Sequence, residues 1–272
     1  MLFFQPVPEI VLDNVHVEFT RSGKGNDRVV ALESLDLTVR DREFVCLLGP
    51  SGCGKSTALN LVAGFLRPTH GNVSVGGRAV NAPGPERGVV FQDANVFPWL
   101  TVRDNVAFGP SVRHVDRSTI DANVDAYLQR VGLAQFADHL PLELSGGMRQ
   151  RVGLARVLVN DPPVLLMDEP FGALDAQTRI IMQELLLDLW ERDRKTVIFV
   201  THDIDEALLL GDRIVVMTAR PGRTKRIIDV DLPRPRSYEF TTTPQFINLR
   251  RELFEELRVE AQQADRLEAI HE

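Results

Sequence analysis

The sequence predicts an α/β fold with a mostly parallel sheet at its core, an antiparallel β subdomain and an inserted α-helical subdomain. Three observations indicate this architecture. A short apolar run, 43–48, leads into a glycine-rich segment, 49–57, and then into an apolar helical segment, which is the order strand, loop, helix. Two later apolar runs, 164–167 and 196–200, flank the helical segment 176–192, and such alternation is typical of parallel strands joined by right-handed crossovers. The region between these units has a helical pattern, as an inserted subdomain would.

The first part of the chain, residues 9–39, alternates apolar and polar side chains on either side of a polar loop at 20–28. This alternation predicts an antiparallel hairpin with residues 11–19 as one arm. Further short strand candidates follow at 72–75, 78–80 and 88–91. The first part of the chain therefore mixes antiparallel strands with the strand, loop and helix unit.

The helical subdomain is predicted at about 93–159. Two segments within it carry apolar residues close to the 3.6-residue period of a helix: 119–131 and 148–159. The two halves of the α/β core, 9–92 and 160–232, lie on either side of this subdomain. Core and subdomain together make one domain, 9–232.

Residues 233–272 are predicted to form a linker and a C-terminal helix. Prolines 233 and 235 mark the linker, and Pro244 precedes a helix with an apolar stripe at Phe246, Leu249, Leu253 and Leu257. The stripe could contact a partner or pack on its own domain. Its width favours packing on its own domain.

The composition of the 272-residue chain, with 44% hydrophobic and 25% charged residues, is that of an ordinary soluble globular protein. No apolar run approaches the roughly 18 to 20 residues that cross a bilayer, and residues 1–11 lack the pattern of a secretion signal. We therefore expect a cytoplasmic protein. The net charge of −7 disfavours nucleic acid as the main partner. Cys46 and Cys53 have neither metal-ligand nor disulfide spacing.

The glycine-rich segment has the composition of a loop that wraps a nucleoside triphosphate. It matches the pattern G-x-x-x-x-G-K-[ST] without a mismatch through Gly49, Pro50, Ser51, Gly52, Cys53, Gly54, Lys55, Ser56 and Thr57. Glycines let backbone N–H groups turn toward anionic oxygens, and the following helix adds the positive end of its dipole. Lys55 can reach the β- and γ-phosphates, and the Ser56 hydroxyl can ligate Mg²⁺. The alternative, a glycine-rich turn with a coincidental Lys-Ser, is disfavoured by the flanking strand and helix.

A second motif places two carboxylates at the end of an apolar strand: Asp168 and Glu169 follow 164–167. The carboxyl ends of parallel strands border the crevice in which open α/β sheets bind ligands. In a phosphoryl-transfer site, Asp168 would hold Mg²⁺ and Glu169 would polarise the attacking water. Two solvated acids at a strand end are the structural alternative, which the complete phosphate loop makes less favourable.

Three further positions are polar where packing does not require it. Gln92 follows a strand candidate and can contact a metal ion or a water molecule through its side-chain amide. Ser145 precedes two glycines at a predicted helix start, a second place for an anion. His202 ends a β-branched strand and can touch a γ-phosphate. Taken singly, each has a structural explanation: a surface amide, a helix cap and a loop histidine.

The order of these segments resembles that of the ATP-binding cassette (ABC) family over almost the whole chain, which implies a P-loop NTPase core. The phosphate loop, the Gln, L-S-G-G at 144–147, the Asp-Glu strand end, G-A-L-D at 172–175 and the His follow one another, and L-S-G-G is the family's diagnostic segment. Three regions look like those of nitrate, sulfonate and taurine importer ATPases. They are the segment F-P-W-L-T at 97–101, the segment 144–151, and the segment R-P-G-R at 220–223 together with residues 232–236.

This resemblance implies an ATPase that uses ATP and Mg²⁺ in sites shared between two copies of the chain. One copy supplies the phosphate loop, Gln92, Asp168, Glu169 and His202, with Ser56, Gln92 and Asp168 around the metal ion. The other copy supplies Ser145, Gly146, Gly147 and Asp175. Phe19 lies where the family has an aromatic residue that stacks on adenine; the alternative is a core residue of the hairpin.

The resemblance also implies partners: a homodimer of this chain, transmembrane permease subunits and an extracytoplasmic substrate-binding protein, with the chain bound peripherally at the cytoplasmic face of the membrane. The permease would contact residues 92–100, including Phe97, Pro98 and Trp99; a hydrophobic turn buried within the subdomain is the alternative. Met148 and Gly172 differ from residues common in the family, and we expect neither to alter the chemistry.

Two other classes of protein remain as alternatives. A non-transport ABC ATPase of the repair or translation type would carry a long coiled-coil insertion or two cassettes in one chain, and this sequence has neither. A P-loop kinase would use Lys55 and Ser56 but would not need residues 144–150.

Overall fold

Residues 9–20 and 28–271 are described by a computed structural model, in which ten strands form two sheets. The strands are β1 (Ile10–Thr20), β2 (Arg28–Val39), β3 (Phe44–Leu48), β4 (His70–Val75), β5 (Arg78–Ala79), β6 (Arg87–Val90), β7 (Val164–Asp168), β8 (Thr196–Thr201), β9 (Arg213–Met217) and β10 (Thr224–Asp229). The α-helices are α1 (Lys55–Ala63), α2 (Val102–Val112), α3 (Arg117–Arg130), α4 (Gly146–Leu158), α5 (Ala176–Asp193), α6 (Ile204–Leu210) and α7 (Pro244–His271).

The larger sheet has the strand order β10-β9-β3-β8-β7-β6. Five of its strands run parallel, and β10 at one edge is antiparallel to β9. Strands β3 and β8 are buried along their whole length, as expected for a parallel sheet covered on both faces. The predicted α/β class with a mostly parallel sheet is therefore confirmed.

The smaller sheet is antiparallel, with the order β2-β1-β4-β5. Its hairpin pairs Ile10 with Val39 at one end and Thr20 with Arg28 at the other, as the alternating pattern predicts. Most of the predicted loop, 21–27, lies outside the described residues. Apolar side chains of β1, β2 and α1 form one core cluster with the inner face of β3, so the two sheets share a core around α1.

The helical subdomain consists of α2, α3 and α4, which pack against one another, and α4 also contacts β6. The predicted helical segments correspond to α3 and α4. Helix α2 lies within the predicted helical region 93–159 but was not predicted as a separate helix, because Gly109 and Pro110 interrupt its sequence pattern. Buried apolar residues such as Val106 and Val152 nevertheless hold it against α4.

The C-terminal part of the chain packs on the α/β core. Phe246 and Leu253 are only 1% and 0% exposed and belong to the same core cluster as α6, while Leu249 and Leu257 pack at its edge. The prediction that this stripe packs on its own domain is therefore confirmed. Within the described part of the chain, no helix combines the length and the apolar character needed to span a bilayer.

Candidate functional site

The phosphate loop connects the end of β3 to the start of α1. Gly52 and Gly54 have positive φ angles of 72° and 99°, a conformation that glycine adopts without strain. A side chain on Gly54 would also collide with Leu32, since a Cβ there would lie 2.6 Å from the Leu32 Cδ2. Gly54 caps α1, so the N-terminal end of that helix faces the loop.

Lys55 lies against the phosphate loop and is only 5% exposed. Its Nζ donates hydrogen bonds to the carbonyl oxygens of Gly49 at 2.8 Å and Pro50 at 2.9 Å. Neutral carbonyls are weaker partners for an ammonium group than phosphate oxygens are. The loop therefore holds Lys55 in place, and the same loop would bind the phosphate chain.

Ser56 and Asp168 meet at the ends of α1 and β7. The Ser56 hydroxyl donates to Asp168 Oδ1 at 2.9 Å. Burial raises the pKa of Asp168, and the charge of Glu169 acts in the same direction, whereas Ser56 and Lys55 oppose it. A cation at this position would stabilise the ionised carboxylate. Hydroxyl and carboxylate oxygens are ligands that Mg²⁺ prefers, so these residues fit that ion.

Glu169 and His202 form a second pair. His202 Nδ1 lies 3.0 Å from Glu169 Oε2. Glu169 has a φ of 43°, rare for a residue with a side chain, and its backbone N–H donates to the Val200 carbonyl at 3.0 Å. The backbone thus turns sharply after Asp168 and directs two successive carboxylates to different partners.

Gln92 and Glu169 both lie close to Gly172. A Cβ on Gly172 would be 3.3 Å from Gln92 Nε2 and 3.6 Å from Glu169 Oε2. Gly172 therefore borders the Glu169 carboxylate, and a side chain here would occupy space between the two groups. Nothing in the local sequence pattern shows what Gly172 faces, so the sequence predicts no role for it in the chemistry.

A cavity of about 460 Å³ opens over the phosphate loop. Its described lining comes from the loop, the hairpin and two later segments: Phe19, Val29, Ala31, Ser51, Gly52, Gly54, Lys55, Ser56, Thr57, Glu169 and Arg220. Phe19 is 42% exposed, so the alternative that it is a core residue of the hairpin is wrong. Val29, Ala31 and Arg220 were not predicted to line the site, since each is distant in sequence from the loop.

Ser145, Gly147 and Asp175 lie on a different surface. Ser145 caps α4 and accepts from the Met148 N–H at 3.3 Å, and Asp175 caps α5 and accepts from the Thr178 N–H at 3.0 Å. A Cβ on Gly147 would lie 2.5 Å from Thr178 Cγ2, so the two helix starts adjoin. Among the described residues, none of this group, including Gly146, lines the cavity over the phosphate loop.

Strands β3, β8 and β7 are neighbours in the parallel sheet, so their carboxyl ends bring the phosphate loop, His202 and the two carboxylates to one edge. This arrangement is that of a P-loop nucleoside triphosphatase.

Comparison with known proteins identifies the family within this class of nucleoside triphosphatases. Residues 32–172 match the family model for ABC transporters. The taurine import ATP-binding protein TauB of Jannaschia sp. is 46% identical over 253 residues, covering 90% of this chain and 92% of that protein. The bicarbonate transport ATP-binding protein CmpC of Synechococcus elongatus is 47% identical over 248 residues, covering 90% of this chain and 37% of that protein.

Solved structures agree with the sequence relatives. A dimeric structure of a bacterial ABC transporter cassette superimposes with a TM-score of 0.72 at 34% identity, covering 82% of this chain and all of that one. The chain belongs to the ABC transporter family and is one of its ATP-hydrolysing subunits. The resemblance inferred from the order of motifs is therefore confirmed.

Proposed function

We propose that this chain energises the uptake of a small anion, such as nitrate, a sulfonate or taurine, through separate permease subunits in the membrane. The name of the taurine relative states import and that of the bicarbonate relative states transport, and both of those substrates carry an anionic group. An extracytoplasmic substrate-binding protein delivers the anion, and the chain is peripheral at the cytoplasmic face of the membrane.

Two copies of the chain complete each ATP site. Ser145, Gly146 and Gly147 of one copy, with Asp175 beside them, cover the phosphate chain that the loop of the other copy binds. The observation that carries this proposal is the separation of the two groups within one chain: Gly147 and Asp175 adjoin through Thr178, while the phosphate-loop cavity is lined by neither. Backbone N–H groups at the start of α4 would face the γ-phosphate.

The residues have distinct parts in hydrolysis. Lys55 binds the β- and γ-phosphates in place of its two carbonyl partners, and Phe19 stacks on the adenine. Glu169 accepts the proton of the attacking water, while His202 holds the Glu169 carboxylate and reaches the γ-phosphate. Ser56, Asp168 and Gln92 would hold Mg²⁺, which neutralises charge on the phosphates when bound.

The segment after Gln92 leads to an exposed aromatic surface on the helical subdomain, formed by Phe97, Trp99 and Phe108. Trp99 is 73% exposed and Phe108 43%, so the alternative of a buried turn does not apply to Trp99. Buried Asn105 fixes the segment because its side-chain Nδ2 lies within hydrogen-bond distance of the Phe97, Leu100 and Thr101 carbonyl oxygens.

This aromatic surface is where we place the permease. A rigid segment that starts at Gln92, beside Glu169, and ends on exposed aromatic side chains can transmit movement from the ATP site to a partner. Closure of the dimer around ATP, followed by hydrolysis and opening, would then move the two permease contacts together and apart.

Uptake measurements test the proposal. In cells that lack this chain, uptake of labelled nitrate, an alkanesulfonate and taurine is compared after complementation with wild type, Trp99→Ala or Phe254→Ala. Phe254 is 56% exposed on α7 and serves as the matched control. We expect wild type and Phe254→Ala to restore uptake of one anion, and Trp99→Ala to lower it about tenfold. Unchanged uptake of all three anions with and without the chain would overturn the proposal and favour a non-transport ATPase.

A further inference from the structure

The turn between β9 and β10, residues 218–223, packs directly against the phosphate loop. The Gly222 N–H donates to the Ala31 carbonyl at 2.9 Å, and the Gly222 carbonyl accepts from the Glu33 N–H at 3.0 Å. A Cβ on Gly222 would lie 2.0 Å from the Cys53 carbonyl oxygen, so only glycine allows this approach. The turn is thereby fixed between the hairpin and the phosphate loop.

Helix α7 holds the same turn from the other side. Glu260 Oε2 accepts from the Ala219 N–H at 2.7 Å, and Glu260 is only 4% exposed. Its other oxygen, Oε1, lies 2.9 Å from Lys225 Nζ. A buried carboxylate with two such partners is strongly held, so the residue that precedes Arg220 has little freedom.

Arg220 lies on the rim of the phosphate-loop cavity. Its Nε donates to the Gly52 carbonyl at 3.4 Å, and a Cβ on Gly52 would lie 3.2 Å from its guanidinium Nη2. Among the residues that the structure describes, no carboxylate forms an ion pair with Arg220. The only other cation in the described lining of the cavity is Lys55.

We propose that Arg220 binds the phosphate groups of the nucleotide from the rim of the cavity, and that Glu260 on α7 positions it. The inference rests on the proposed ATP site and adds a residue from outside the motifs of the phosphate loop. A guanidinium group offers several N–H donors in a planar fork that suits phosphate oxygens. Within the described part of the chain its one hydrogen bond is to the Gly52 carbonyl at 3.4 Å, and this long bond is easily exchanged for charge-assisted hydrogen bonds to an anion.

Displacement of a fluorescent ATP analogue from the full-length chain tests the contact. ATP and inorganic tripolyphosphate are the competitors, and the proteins are wild type, Arg220→Ala, Arg220→Lys and Arg223→Ala. Arg223 is the matched control, because it lies on the same turn, carries the same charge, pairs with Glu33 and does not line the cavity.

We expect Arg220→Ala to raise the dissociation constants of ATP and tripolyphosphate by the same factor, about tenfold, with partial recovery in Arg220→Lys. Arg223→Ala should stay within about twofold of wild type, since it removes only distant charge. Unchanged affinities in Arg220→Ala would overturn the proposal. So would a loss confined to ATP, which would place the contact on the base or ribose.

A second variant tests the role of α7. Glu260→Ala removes the acceptor for Ala219, so ATP affinity should fall about threefold, and the double variant with Arg220→Ala should lose no more than Arg220→Ala alone. Additive losses would show that Glu260 acts independently of Arg220. If the wild-type chain bound no nucleotide, the proposed function itself would fail, which is a separate outcome.

Discussion

Replacing Glu169 by Gln tests the division of roles at the ATP site most directly. The change exchanges one carboxylate oxygen for an amide nitrogen and leaves the shape of the side chain unchanged. The remaining oxygen can still face His202, which lies 3.0 Å from Glu169 Oε2 in the wild type. Lys55, Ser56 and Asp168 keep their contacts, because none of their hydrogen bonds involves Glu169.

The expected magnitude follows from the role of a general base. Loss of a positioned base costs about 10²- to 10⁴-fold in rate, which is about 3 to 5 kcal/mol of transition-state stabilisation. ATP affinity should not fall, because the lost group is an anion beside the γ-phosphate and its removal reduces repulsion. The variant should therefore bind ATP without hydrolysing it, and the bound ATP should keep the dimer closed.

The assay combines phosphate release with size-exclusion chromatography in the presence of ATP. We expect Glu169→Gln to release phosphate at least about a hundredfold more slowly than wild type and to elute as a dimer with ATP. Lys55→Ala is the control, since it should lose nucleotide affinity and remain monomeric. Hydrolysis within about tenfold of wild type would refute the assignment of the base. A monomeric profile with bound ATP would refute the two-copy site.

Two further predictions concern stability. Arg236 is 6% exposed and donates to five backbone carbonyls, those of Leu208, Leu209, Gly211, Val230 and Leu232, while burial lowers its pKa to about 10. Arg236→Met should lower the free energy of unfolding in urea by about 3 kcal/mol, because buried carbonyls lose their donors; a loss below about 1 kcal/mol would contradict this. Burial raises the pKa of Glu206 above its ordinary value of 4.5. Its contribution to stability is therefore present in full below that value and is lost as the pH rises through the folded-state pKa. Urea unfolding between about pH 4 and pH 8 should show Glu206→Gln gaining stability relative to wild type as the pH rises, whereas parallel curves would argue against it.

The bounds of helix α2 and the existence of strand β10 could not be predicted from the sequence. Gly109 and Pro110 disfavour a helix locally, yet α2 forms because its apolar face is buried against α4. Strand β10 carries Lys225 and Arg226 and has little of the apolar alternation of a strand. It forms because β9 offers a free edge and because both cations pair with glutamates of α7.

By itself the sequence determined the chemistry that depends on neighbouring residues. The phosphate loop, the Ser56 hydroxyl and the Asp168–Glu169 pair are contiguous or end a strand, so their spacing alone defines how backbone and side-chain groups converge. Only the tertiary structure decided which distant groups join them. Arg220 reaches the cavity because the β9–β10 turn packs on Cys53 and α7 holds that turn through Glu260, and no local pattern encodes contacts between segments so far apart.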